Sequence, residues 1–139
     1  MVLPNGGLAG CPSSSRCREV RYNMKTLFIL NDAPYGSERI YNGLRLAGSL
    51  SKAEGEDVKV FLIGDAAPCA KSGQKVPEGF YNIQLMLDRV AKHGGTVGVC
   101  GTCMDARGIA ESELAPGTRR STLNELAEWT RWADKVIVF

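Results

Sequence analysis

The sequence lacks the features that would tie it to a membrane or to nucleic acid. Its 139 residues contain no apolar run of the roughly 20 residues that a transmembrane helix requires. The formal net charge of +2 is carried by residues 1–23, and residues 24–139 hold equal numbers of basic and acidic side chains. Because phosphate binding depends on a clustered excess of cations, the sequence predicts neither a nucleic-acid partner nor a membrane location.

The sequence is also poor in the residues that hydrolases and nucleotide-binding proteins need. His93 is the only histidine, and it lies at the predicted end of a helix, where a cation meets the negative end of the helix dipole. A serine or cysteine hydrolase that needs a histidine would have only this one, and it lies at the opposite end of the third predicted strand from Cys100, which argues against a Cys–His nucleophile pair. The loop at 31–37 has a single glycine and neither the dinucleotide nor the P-loop spacing. We predict no nucleotide cofactor.

Cysteine is present, but in an odd number, and no secretory signal precedes it. The five cysteines are at positions 11, 17, 69, 100 and 103. This pattern favours a reducing, cytoplasmic compartment in which thiols serve chemistry, metal binding or packing. A structural zinc site needs four ligands, and Cys69, Cys100, Cys103 and His93 would give three sulfurs and one nitrogen. The chain has no second Cys-x-x-Cys and no paired histidines, which argues against such a site. We therefore predict no bound metal.

Apolar runs and helical periodicities alternate after residue 23. Apolar runs predict strands at 25–30, 58–63, 96–99 and 136–139, and apolar residues at helical spacing predict helices at about 37–53, 82–93 and from 121 or 122 onward. A fifth strand could lie within 109–120. This order predicts one α/β domain over 24–139, with a mostly parallel sheet of four to five strands and helices on both faces.

Residues 1–23 differ from the rest of the chain. They are rich in Gly, Pro and Ser and have almost no periodicity. We expect a disordered leader, or a start assigned upstream of the natural one at Met24.

The strongest candidate site follows the third predicted strand. Cys100 ends the apolar run, and open α/β sheets bind their ligands at that end of the strands. Cys103 completes a Cys-x-x-Cys motif, which indicates redox, sulfur-transfer or metal chemistry. The thiolate is the reactive form of cysteine, and we expect Arg107 and the turn beginning near Cys103 to lower the pKa of Cys100. Backbone N–H groups of 101–103 would stabilise the anion.

Further residues are candidates for the pocket around this thiol. Three flank the motif in sequence: Gly101, Thr102 and Asp105. Tyr35, in the loop after the first strand, is expected to overhang Cys100. Cys69 follows the second strand, and it either approaches Cys100 at the same edge of the sheet or packs in the core.

Large aromatic residues favour self-association. Trp129 and Trp132 lie on the last predicted helix, and Phe80 and Tyr81 precede the middle one. Aromatic residues in such positions are usually buried in a core or in a subunit interface. These four residues are therefore candidates for a self-associating surface.

Several segments between Met24 and Phe139 carry a family resemblance: APYGSE at 33–38, GFYNIQ at 79–84, CGTCMDARGI at 100–109, AEWT at 127–130 and ADKV at 133–136. Together they resemble the YchN-like branch of the DsrE/DsrF family. The resemblance implies a three-layer α/β/α fold and a homo-oligomer, commonly a trimer or a hexamer. In sulfur-relay members, the cysteine that matches Cys100 carries a persulfide, and Cys103 matches the second cysteine of the branch.

Three functions follow from these observations. The first is a sulfur carrier or sulfurtransferase-like protein, in which Cys100 takes a sulfur atom from a donor protein and passes it to an acceptor. The second is an oligomeric binding protein that uses the same pocket for a small anion without catalysis. The third is a dithiol redox protein that forms a reversible Cys100–Cys103 disulfide.

Overall fold

The computed structural model describes residues 22–139. The expectation of a leader at 1–23 therefore falls almost wholly outside the described residues. The described part alternates strands and helices as the sequence predicts. The elements are β1 (Met24–Leu30), α1 (Arg39–Ser51), β2 (Glu56–Leu62), α2 (Ile83–Lys92), β3 (Thr96–Cys100), α3 (Gly101–Ala106), β4 (Thr118–Ser121), α4 (Leu123–Trp132) and β5 (Lys135–Val138). Short 3-10 helices span Gly64–Ala70 and Glu111–Glu113.

The strands form one parallel sheet in the order β4-β3-β2-β1-β5. This confirms the predicted α/β architecture, and within residues 22–139 the sheet has five strands. The additional strand is β4, which pairs with β3 so that Cys100 lies beside Ser121. Its four residues, TRRS, overlap only the end of the predicted range.

Alternate residues of each strand face opposite layers, as the twofold period of a strand requires. One layer, formed by α1, α2 and the first 3-10 helix, packs on a large apolar cluster that includes Phe28, Val60 and Leu87. The other layer is α4, whose Leu126 and Trp129 pack on Leu27, Phe61 and Cys100. The sheet thus lies between two helical layers, which makes the three-layer α/β/α fold.

The two longer helices after β2 begin where the sequence provides capping side chains. The Asn82 side chain accepts a hydrogen bond from the Leu85 N–H at the start of α2, and Thr122 accepts one from the Glu125 N–H at the start of α4. These bonds satisfy N–H groups that a helix start leaves without intrahelical partners. The cap at Thr122 fixes α4 directly after β4, beside the end of β3.

No helix within residues 22–139 combines the length and the apolar character needed to cross a bilayer.

Candidate thiol site

Cys100 is the junction between β3 and α3. It is the last residue of the strand and the N-cap of the helix, which begins at Gly101 rather than near Cys103. Its side chain belongs to the α4 layer and is 6% exposed. The thiol is therefore held at the carboxyl edge of the sheet, almost covered by its neighbours.

The sulfur atoms of Cys100 and Cys103 are in direct contact. The Cys103 thiol donates to the Cys100 Sγ at 2.7 Å, and the Thr102 hydroxyl lies 3.3 Å from the same sulfur. The Gly64 N–H donates to the Cys103 Sγ at 3.1 Å. Because α3 starts at Gly101, the Cys-x-x-Cys spacing brings both thiols to the first turn of that helix.

These contacts give the two cysteines opposite acidities. Burial alone would raise the pKa of Cys100, but hydrogen bonds from the Cys103 thiol, the Thr102 hydroxyl and the backbone N–H groups of both residues outweigh it and lower that pKa. Burial and the same thiol–thiol bond raise the pKa of Cys103. Cys100 is thus the more acidic thiol of the pair, and Cys103 is the one that keeps its proton more strongly.

Cys69 does not join this pair. It is fully buried in the α1–α2 layer, on the opposite side of the sheet from Cys100, and its thiol points to the Asp32 carbonyl at 3.9 Å. Burial raises the pKa of Cys69 to about 12. Of the two alternatives for this residue, the structure supports core packing.

Arg107 lies next to Cys103 rather than Cys100. Its guanidinium donates to the Asp65 carboxylate at 2.6 Å and to the Cys103 carbonyl at 3.1 Å. Its charge acts to lower the pKa of Cys103, where it is outweighed. We expected Arg107 to lower the pKa of Cys100. The geometry does not support that role, because the Arg107 side chain turns to the 3-10 helix after β2.

The cation beside Cys100 is Arg120, which sequence reasoning missed. Its guanidinium makes two hydrogen bonds of 2.8 Å to the Asp105 carboxylate and lies so close to Gly101 that an added Cβ would be 2.8 Å from its Nε. The bonds to Asp105, followed by the charges of Asp105, Glu111 and Cys100, raise the pKa of Arg120. Only the pairing of β3 with β4 could have indicated this neighbour.

Tyr35 is turned away from the thiols. Its hydroxyl donates to the Gln74 Oε1 at 2.5 Å and accepts the Ile83 N–H at 3.1 Å, and its ring stacks on Tyr81 at 5.9 Å. It has a φ of 63°, a backbone conformation that is uncommon outside glycine. Tyr35 therefore does not overhang Cys100, contrary to our expectation from the sequence. It instead fixes the loop before α2.

A small cavity opens onto Cys100. Its volume is about 140 Å³. The residues that line it come from β3, the start of α3, β4 and the start of α4: Cys100, Gly101, Thr102, Arg120, Ser121, Thr122 and Leu123. Among residues 22–139, no three His, Cys, Asp or Glu side chains are grouped closely enough to hold a metal ion.

A parallel three-layer α/β/α domain with a thiol pair at the end of a central strand defines the class of this protein. The chain belongs to the DsrE/DsrF-like family, whose model matches residues 24–139. It is 46% identical to the protein YchN of Escherichia coli over 116 residues, which is 83% of this chain and 98% of that protein. This confirms the resemblance drawn from the sequence.

Solved structures agree with this assignment. The crystal structure of the Escherichia coli ychN protein superposes with a TM-score of 0.79 at 45% identity, covering 84% of this chain and 99% of that one. A protein of unknown function from Methanobacterium thermoautotrophicum gives a TM-score of 0.66 at 11% identity, covering 84% and 99%. The second likeness extends to the fold alone.

Proposed function

We propose that this protein is a sulfur carrier that holds a persulfide on Cys100. The observation that carries the proposal is the contact between the two thiols, which lowers the pKa of Cys100 and raises that of Cys103. A lowered pKa increases the fraction of thiolate, which is the nucleophile. Membership of the DsrE/DsrF-like family supports the same chemistry.

The loading step needs no oxidant or reductant. The Cys100 thiolate attacks the terminal sulfur of a donor R–S–S⁻, and a new S–S bond forms while the donor bond breaks. The electron pair of the broken bond leaves with R–S⁻. An acceptor thiolate then attacks the terminal sulfur of Cys100–S–S⁻, takes that sulfur and restores the Cys100 thiolate.

Cys103 offers a second route from the persulfide. Its sulfur attacks the Cys100 Sγ, and its proton leaves with the terminal sulfur as HS⁻. The product is a Cys100–Cys103 disulfide, which an external dithiol reductant must reopen. The separation of 2.7 Å between the sulfur atoms requires little movement for this step.

The proposal includes the setting in which the carrier works. We propose a homo-oligomer in a reducing, cytoplasmic compartment, with donor and acceptor proteins or small molecules as partners. Exposed aromatic residues near α2, Phe80 above all, support self-association. Free thiols at Cys69, Cys100 and Cys103 support a reducing compartment.

Intact-protein mass spectrometry after exposure to a sulfane-sulfur donor tests the proposal. We expect the gain of one sulfur atom, mapped to the peptide that contains Cys100 and removed by a reductant. Cys100→Ser should abolish loading, and Cys103→Ser should keep it while prolonging the life of the persulfide. Cys69→Ala is the matched control and should load normally, because that thiol lies in the opposite layer of the fold.

The thiol contact also favours a second candidate, a dithiol redox protein. That function predicts loss of two hydrogen atoms across Cys100 and Cys103 under mild oxidation, with no sulfur gained from the donor. Loading that survives Cys100→Ser contradicts the carrier proposal, and so does a wild-type protein that forms only the disulfide.

A further inference from the structure

We infer that the cavity beside Cys100 admits compact inorganic anions that carry a sulfane sulfur, such as thiosulfate or hydrogen disulfide (HSS⁻), and that Arg120 selects them. The inference rests on the proposed function, since it names the class of small-molecule donor for the same thiol. Three observations carry it: the size of the cavity, the guanidinium on its wall, and the hydroxyl groups that line it.

The cavity is too small for an organic donor of ordinary size. Its volume of about 140 Å³ lies below the roughly 300 Å³ at which pockets for drug-sized ligands begin. A cavity needs only about 10–15 Å³ of such volume to hold one water molecule, so there is room for an anion of four or five heavy atoms. The body of a tripeptide such as glutathione is larger than the cavity, so glutathione persulfide would present only its sulfur atoms to Cys100 and no anionic group to Arg120. Leu123 is the single large apolar side chain on the wall.

Arg120 can bind an anion while it keeps its bonds to Asp105. A guanidinium has five N–H groups, and Asp105 takes one from each terminal nitrogen. The Nε and Nη2 atoms lie 2.8 and 3.0 Å from where a Cβ on Gly101 would be, and Arg120 lines the same cavity as Cys100. The planar, permanently charged fork is the side chain best suited to recognise the oxygen atoms of a sulfur oxyanion.

One of the hydroxyl groups on the wall, that of Thr122, adds a directional donor. The Thr122 oxygen accepts the Glu125 N–H at 3.2 Å, which leaves its own proton free to donate. Ser121 donates to Glu125 at 2.7 Å, so its proton is already used. The Thr102 hydroxyl lies 3.3 Å from the Cys100 Sγ and is already engaged with that sulfur.

The resulting step with thiosulfate is balanced in atoms and charge. The Cys100 thiolate attacks the outer sulfur of S–SO₃²⁻, the S–S bond of thiosulfate breaks, and sulfite leaves with the electron pair. The products are Cys100–S–S⁻ and SO₃²⁻. Negative charge moves from the attacking thiolate toward the leaving sulfite, and a cation on the cavity wall stabilises that shift.

Two alkylating agents measure the charge selectivity of the cavity without any transfer of sulfur. Iodoacetate and iodoacetamide have nearly the same size and differ by one negative charge. We expect Arg120→Gln to lower the ratio of their rates at Cys100 by about tenfold, the effect of losing one charge-assisted hydrogen bond. Arg131→Gln removes the same charge from an exposed site at the end of α4 and should leave the ratio unchanged.

The variant Asp105→Asn distinguishes anion selection by Arg120 from a purely structural role of Arg120 in supporting α3. It breaks the charged link but keeps the guanidinium, so the preference for iodoacetate should persist or increase. If Asp105→Asn lowers the ratio as much as Arg120→Gln does, Arg120 acts only by holding α3 in place and the inference is overturned.

The second measurement compares donors by mass spectrometry of the intact protein. We expect thiosulfate, hydrogen disulfide or both to load Cys100, and glutathione persulfide to load it about tenfold more slowly or not at all. Comparable loading by glutathione persulfide contradicts this inference and leaves the carrier proposal standing. No loading by any donor contradicts the carrier proposal itself. The two small donors are distinguished by sulfite, which is released from thiosulfate alone.

Discussion

At the scale of the residue, the three described cysteines share one chemistry and differ in their surroundings. Cys100 receives hydrogen bonds that stabilise its thiolate, and Cys103 donates one of them. Cys69 is held neutral by burial among apolar side chains. The reactivity of each thiol therefore depends on which layer of the fold surrounds it.

The pKa of Cys69 predicts a specific loss of stability at high pH. This thiol titrates near its ordinary pKa of 9.0 in the unfolded chain and at about 12 in the folded protein. Between these values the unfolded state has lost the proton and the folded state has kept it, so stability falls as pH rises. The expected slope is about 1.4 kcal/mol per pH unit.

Urea unfolding of wild type and Cys69→Ala between pH 8 and 11 checks this expectation. The titration of groups common to both proteins cancels in the comparison. The unfolding free energy of the wild type minus that of the variant should therefore be constant below pH 9 and should fall above it. A difference that stays constant across the whole range would show that Cys69 is not protected by burial.

The sequence predicted the position of the thiol pair better than its surroundings. Cys100 could be identified because it ends an apolar run, and Cys103 because of its spacing. Arg107 is close to both in sequence, yet its side chain turns to Asp65. Arg120 is 20 positions from Cys100 and becomes its neighbour only through strand pairing, beside Ser121. Contacts of this kind depend on the order of strands, which no local pattern contains.

At the scale of the element, the packing of α4 on the sheet depends on a glycine. Trp129 is buried with its ring edge-on to Phe61 at 5.9 Å. A Cβ on Gly98 would lie 2.9 Å from the Trp129 Cη2 and 3.2 Å from the Ser121 Cβ. Neither neighbour can yield easily, because the indole ring is rigid and the Ser121 Cβ is fixed to β4.

We therefore predict that Gly98→Ala costs about 1–3 kcal/mol, as overpacking of a core does. Gly48→Ala is the matched control, since Gly48 lies inside α1 with open space around it. That change should stabilise the protein by about 0.5–1 kcal/mol, because alanine loses less backbone freedom than glycine in a helix. Thermal unfolding of both variants gives the comparison, and equal effects would contradict this account of α4.

The strands were predictable to different degrees for a physical reason. Strands β1, β2 and β3 lie inside the sheet and are apolar, so their sequences are recognisable. The β4 sequence, Thr118–Ser121, lies at an edge and has two arginines. Edge strands commonly carry charges because these prevent unwanted pairing with other chains. The same charges remove the apolar pattern by which a strand is recognised.

At the scale of the whole molecule, one surface has the composition of a subunit interface. It lies along α1, the loop before α2, and α2, and two of its apolar side chains, Phe80 and Leu85, are 69% and 54% exposed. The rings of Tyr41 and Tyr81 stack there with their centroids 4.3 Å apart, and the Arg45 guanidinium lies over the Tyr41 ring. Aromatic residues and arginine are the types enriched in interface cores.

We predict that Phe80→Lys weakens self-association. A charge in the centre of an interface must be desolvated, which is costly without a partner. Sedimentation velocity should show the wild type as an oligomer and the variant as a smaller species at equal concentration. Val138→Lys is the control, because this exposed side chain belongs to β5 at the far edge of the sheet. Dissociation by Val138→Lys alone would place the interface there instead.

The order of the elements along the chain matters during synthesis. Cys100 is synthesised before α4. The face of the sheet that Leu126 and Trp129 cover in the folded protein therefore has no cover until α4 has been synthesised. About thirty residues separate the thiol from its cover, which at ribosomal speed amounts to a few seconds. Strand β5, which follows α4, then pairs with β1. The low exposure of the Cys100 thiol is therefore a property of the completed domain, because it depends on a helix that follows the cysteine in the chain.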